Sequence, residues 1–111
     1  MILPISVNQA IDDLVVLDGQ EVIVQGILHF DFEEVALYHF PTAQRRAAYD
    51  SSIWISTGTG SLGFNEEACK RLHGKRVTIE GRLLKPAPDL GGCGHMSLWP
   101  AELLARTLEP A

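Results

Sequence analysis

Six residues, Gly58-Thr59-Gly60-Ser61-Leu62-Gly63, carry glycines at G-x-G-x-x-G spacing. That spacing lets a backbone approach a pyrophosphate held at a helix N-terminus. The stretch follows an apolar run and precedes a helical pattern, with Glu80 downstream. A dinucleotide site needs the helix to begin inside the motif, whereas Phe64-Asn65 place its start after the last glycine. A flexible loop is therefore the plainer expectation, and a small nucleotide-binding protein or enzyme built on residues 58–63 is the third reading. Cys93 and His95 stand two apart, with Cys69, His29, His39 and His73 elsewhere. Structural zinc sites show paired ligands such as C-x₂-C, and no second pair exists here. No metal and no cofactor are expected. Serines lack a G-x-S-x-G elbow. The carboxylates Glu33-Glu34 and Glu66-Glu67 are adjacent in sequence, so their side chains diverge. The expectation is a protein that is not an enzyme.

Charge narrows the partners. Formal net charge is −5 over 111 residues. The first 44 residues hold seven acids (Asp12, Asp13, Asp18, Glu21, Asp31, Glu33, Glu34) and neither Lys nor Arg. Lys70, Arg71, Lys75, Arg76, Arg82 and Lys85 form a basic stretch broken by Glu80 alone. The two halves can attract each other within one sheet, or present a two-signed surface to a partner. A polyanion binder needs concentrated Lys and Arg, so the acidic balance disfavours nucleic acid. No apolar run is long enough to span a bilayer. The start, MILPISVNQ, has no basic n-region or long apolar core, so a cytoplasmic location is expected. Cys69 and Cys93 are then expected as free thiols.

The elements that must position these residues centre on a repeated pattern. Leu17 to Leu28 and Leu72 to Leu83 both read L-x-G-x-x-V-x-[VI]-x-G-x-L. The early glycine suits a turn with positive φ. Apolar residues two apart face one side of a strand. The inner glycines, Gly26 and Gly81, suggest a bulge or bend that curls a sheet. Ser6 and Gln9 form a capping box ahead of a short helix from about Val7 to Leu14. Val15 to Leu17 then lead into the first strand, Gly19 to Phe30. Val35 to Phe40 and Ser52 to Thr57 are the second and third strands. A helix over about Glu66 to His73 has Asn65 as its cap and Gly74 as its stop. Phe64 and Cys69 sit at staple positions. Glu66–Lys70 and Glu67–Arg71 are favourable i,i+4 pairs. His73 is placed as a helix-end cation. Arg76 to Leu84 is the fourth strand. Lys85 to Gly94 is a Pro- and Gly-rich loop. His95 to Trp99 begins a fifth strand, interrupted at Pro100. One domain of 111 residues follows, all-β with one or two short helices.

A helix between strands three and four resembles the layout of the OB-fold, a five-stranded Greek-key barrel. The resemblance covers about residues 17–108 and rests on the two repeated strands and the capped helix at 65–73. Gly94 to Leu103, GHMSLWPAEL, also resembles the last strand of small stand-alone bacterial OB-like proteins without an assigned activity. The resemblance implies a binding face on strands two and three. It would draw on Tyr38, His39 and Trp54, with Phe32 and the 85–95 loop, His95 included, at its rim and Arg45 and Arg46 in the connection between strands two and three. Asp31, Glu33 and Glu34 form an acidic candidate face for a basic protein partner. The leading expectation is a non-enzymatic module that binds protein, an inhibitor or immunity type included. The alternative is a single-strand oligonucleotide binder using Tyr38, Trp54, Arg45 and Arg46.

Overall fold

The computed structural model describes residues 2–31, 33–45, 49–56, 66–89 and 91–111, and of His95 the backbone alone. In chain order the elements are β1 (Pro4–Ser6), α1 (Val7–Asp12), α2 (Leu14–Leu17), β2 (Glu21–Phe30) and β3 (Val35–Tyr38), then β4 (Ser52–Ser56), α3 (Glu66–Leu72), β5 (Arg76–Leu84) and β6 (Glu102–Pro110). Short 3₁₀ turns occupy Thr42–Gln44 and His95–Ser97. Strands β2, β3 and β4 pair antiparallel in sequence. β4 then pairs parallel with β6, β6 antiparallel with β5, and β5 antiparallel with β2. The last pairing closes a five-strand barrel in the OB order, with α3 between the third and fourth barrel strands as the resemblance implied.

Strict alternation builds the interior. Val22, Val24, Gly26 and Leu28 of β2 point inward while their neighbours stay half-exposed. They meet Leu37, Ile53, Val77, Ile79 and Leu103 in one buried cluster. Each such side chain contributes about 1.5–3 kcal/mol when taken out of water.

The two copies of the repeated pattern are neighbours. Val24 faces Ile79, its own counterpart in the other copy; Gly26 faces Val77 and Val22 faces Gly81. A local two-fold axis through Val24 and Ile79 therefore relates the copies. It extends to their ends: the Gly19 amide donates to the Leu83 carbonyl, and the Gly74 amide to the Leu28 carbonyl, both at 2.7 Å. Gly19 and Gly74 have φ of 82° and 79°, the left-handed turn expected of them.

Several expectations are corrected. No bulge marks Gly26 in β2, whose register with β5 runs through it unbroken. It is glycine because a Cβ there would lie 2.8 Å from both the Tyr38 carbonyl oxygen and Val7 Cγ2. The irregularity falls instead in the second copy, between Glu80 and Gly81, where β5 slips against β6. Ser6 caps α1 as foreseen, its Oγ accepting from the Gln9 amide at 3.1 Å. That helix ends at Asp12, and Leu14–Leu17 forms a separate helical turn where a strand lead-in was expected. β1, a three-residue strand parallel to β2, escaped the sequence reading because it is too short for alternation to register. His95–Ser97 is a 3₁₀ turn, so the final barrel strand begins only at Glu102, after Pro100.

Candidate binding face

Residues alternate across β3, so Leu37 faces the core while Ala36 and Tyr38 face outward. All three are nevertheless buried. The reason is a cover: Ala36, Tyr38, Cys93 and Trp99 form a second apolar cluster, joined by Ile27, Tyr49 and Trp54. The 93–99 segment closes on itself, with Cys93 and Trp99 exchanging backbone hydrogen bonds of 2.7 and 3.0 Å. Gly94 sits against the Trp54 indole, where a Cβ would lie 2.6 Å from Cε3 and nearer still to Cδ2, too close to be accommodated. The Trp99 ring stacks at a tilt on Trp54 (4.8 Å between centroids) and on Tyr49 (4.5 Å).

This cover is held against resistance. Met96 and Ser97 have φ of 61° and 55°, left-handed backbone at two consecutive non-glycine residues. Each costs about 1–2 kcal/mol. Trp99 is only 2% exposed, yet its indole Nε1 has no hydrogen-bond partner among the described residues. Leaving a donor unpaired in the interior costs about 1–3 kcal/mol. Outside the cover, Met96 is 74% exposed, and Leu98 and Phe40 are also at the surface.

The polar groups around the face are engaged with one another. Tyr38 donates its hydroxyl to Glu34 Oε2 at 2.5 Å. Burial, then this carboxylate, hold the phenol well above its ordinary pKa. The Arg45 guanidinium lies 3.5 Å over the Tyr38 ring, and its Nε donates to the Phe40 carbonyl at 3.0 Å. Asp31 organises the β2–β3 turn. Its Oδ1 accepts from the Glu33 and Glu34 amides, each at 2.9 Å, and its Oδ2 from His29 Nε2 at 2.7 Å. The His29 bond, then the Glu33 amide, hold the Asp31 carboxyl below the usual carboxylate range. Stability from this carboxylate is thus present above the ordinary value of 3.8 and lost as pH falls through the lowered one.

Two histidines act as anchors. His73 Nδ1 accepts the Phe30 amide at 3.0 Å, tying the end of α3 to β2, and its ring lies 5.1 Å from that of His29. It is a hydrogen-bond acceptor there, in place of the helix-end cation expected. His39 turns away from the face: its Nδ1 accepts the Asn8 amide at 3.2 Å and so fixes α1.

Of the expected face residues, the fold brings Tyr38, Arg45, Trp54 and Glu34 together. Asp31 and Glu33 belong to the turn beside them, and Glu33 is exposed. Phe32, Arg46, the 58–63 loop, Phe64 and Asn65 lie outside the described residues, and His95 contributes backbone to the 3₁₀ turn. Tyr49 was not anticipated, and Cys93 only as part of the 85–95 loop. Only tertiary contact reveals them, whereas the shared parity of Glu34 and Tyr38 was a legible sign that they share a face. Cys69 and Cys93 are free, as expected, and both are buried. Among the described residues no group of three His, Cys, Asp or Glu side chains is placed to hold a metal. An open cleft of about 530 Å³ lies beside the β2–β3 turn, floored by Phe30 and Val35 and edged by Asp31, Glu66 and Lys70. Lys70 and Glu66 close its rim with a 3.1 Å ion pair.

No family model matches the sequence, and no curated protein matches it. A solved structure described as an aspartyl-tRNA synthetase from Leishmania major Friedlin matches over 96% of this chain with a TM-score of 0.56 and 14% identity. The chain covers 20% of that protein. At this identity the likeness shows the fold alone, an OB-like barrel.

Proposed function

We propose that this chain is a non-enzymatic binding module whose partner is a protein. One observation carries the reading: the outer face of β3 and β4 is occupied by the chain's own 93–99 segment. Ala36 and Tyr38 are buried against its Cys93 and Trp99, and Met96, Leu98 and Phe40 are left outside. Stacking a base requires an accessible ring. An exposed apolar group set among polar ones suits protein contact instead. The acidic turn at Asp31, Glu33 and Glu34 fits a basic partner, as an inhibitor or immunity-type protein would meet, and the buried thiols suit the cytoplasm.

The oligonucleotide reading keeps two points in its favour. Trp54 is partly exposed, with Arg45 over the nearby Tyr38 ring, and a structural neighbour is by name a tRNA synthetase. A tagged pull-down from the source organism's lysate, with and without nuclease, separates the two. The expected result is a protein that survives nuclease with the wild type and is lost with Met96→Ser/Leu98→Ser. Salt-sensitive binding of single-stranded RNA or DNA that Trp54→Ala abolishes would instead establish the oligonucleotide reading.

A further inference from the structure

Among the described residues, seven large apolar side chains are exposed, and four of them, Ile2, Leu3, Val15 and Val16, lie in the first 16 residues. Val15 and Val16 are 93% and 77% exposed. They sit on α2, a single turn whose Leu14 and Leu17 pack inward on the core. An exposed helical position favours Ala, Glu or Lys, and β-branched residues lower helix propensity there. Neither the stability of α2 nor its hydration accounts for the two valines.

The charge beside the pair in sequence has one sign, although in space Lys85 adjoins Asp18. Asp12 and Asp13 precede the pair, both exposed, and Asp18 follows it. Asp13 stands at the cap position of α2 but makes no side-chain capping bond. Asp18 accepts the Lys85 amide at 2.9 Å, which places its carboxylate at the end of α2. No Lys or Arg occurs in residues 1–44.

We propose that the outward side of β1, α1 and α2 is a docking surface for a protein segment carrying an apolar side chain between lysines or arginines. The valines supply the apolar contact, and the exposed Asp12 and Asp13 select a cationic flank. The same aspartates argue against other occupants. An anionic lipid surface is repelled. A second copy docking through a two-fold axis sets the patch against itself, like charge to like. The surface uses different residues from the 93–99 face and stands independently of it.

The test replaces Val16 with a benzophenone photocrosslinker in cells of the source organism, with Met96 replaced likewise as a separate probe. The crosslinked segment is mapped by mass spectrometry, synthesised and titrated onto the purified chain. The expected segment is net positive. It binds the wild type, and binds Val15→Ser/Val16→Ser and Asp12→Asn/Asp13→Asn about tenfold or more weakly. High salt weakens it too. All four positions are exposed, so unchanged melting temperatures will show that the variants fold. The proposal is overturned by any of these results: no crosslinked protein at position 16, a crosslink to a second copy, a segment without net positive charge, affinity untouched by the variants, or Val16-dependent binding to phosphatidylserine vesicles. A crosslink at position 96 alone overturns it while leaving the proposed function standing.

Discussion

Gly26 is where β2, the Tyr38 end of β3 and the first turn of α1 come closest. Gly26→Ala is expected to destabilise the protein by about 1–3 kcal/mol, since Val7 or the β3 backbone must move. Urea unfolding will read this as a lowered midpoint, and an unchanged midpoint would mean that α1 is loosely seated. The cysteines make a second residue-scale prediction. Burial, more than the nearby Glu66 or Glu102, pushes both thiols up to about 11 from 9.0. The unfolded chain therefore releases these protons first, and stability declines as pH rises from about 9 through about 11. At neutral pH iodoacetamide is expected to label neither cysteine until the protein unfolds, and rapid native labelling of Cys93 would show that the cover opens.

At the scale of elements, the 93–99 cover holds left-handed backbone at residues that resist it. Met96→Gly should relieve that resistance and raise stability by up to about 1 kcal/mol, after allowing for glycine's freer unfolded state. Met96→Ile should lower stability by about 1 kcal/mol, because β-branching is poorly tolerated at positive φ. Thermal unfolding of the pair distinguishes a strained cover from one in which Met96 is indifferent. Helices α1 and α3 are fastened by histidine acceptors, His39 to the Asn8 amide at α1 and His73 to the Phe30 amide beyond α3. An imidazolium has no acceptor nitrogen, so these two ties depend on the rings staying neutral.

Across the whole molecule, the repeated strands are joined by charge as well as by backbone. Arg106 of β6 pairs with Glu21 in the first copy and, at 3.1 Å, with Glu80 in the second. Glu21 also holds one carboxylate oxygen out of solvent with no hydrogen-bond partner among the described residues. Arg106→Ala should therefore cost about 1 kcal/mol, with the difference from wild type shrinking in high salt. A loss insensitive to salt would assign the role to packing of the arginine stem. The attraction foreseen between the acidic and basic halves is thus carried partly by a third strand, and the β2–β5 register, with Glu21 opposite Arg82 and Glu80 opposite Ile23, brings the two glutamates to the same arginine.

Sequence alone determined what depends on neighbours in the chain. Alternation in β2 and β5 sets which side chains face inward. The glycines at 19 and 74 mark turns, Ser6 caps a helix, and the spacing of these signals is enough for an OB-like barrel. Tertiary structure decided what depends on groups far apart in sequence. Gly26 reads as a bend until Val7 and Tyr38 are seen against it. Tyr38 and Trp54 read as an open face until Gly94 and Trp99 are folded over them. His95 to Trp99 reads as a strand because its composition suits one, yet its backbone pairs with Cys93 and leaves the barrel to Glu102–Pro110. Local pattern cannot report a cover that arrives from some forty to sixty residues away, because burial and hydrogen-bond satisfaction are settled only when the barrel closes.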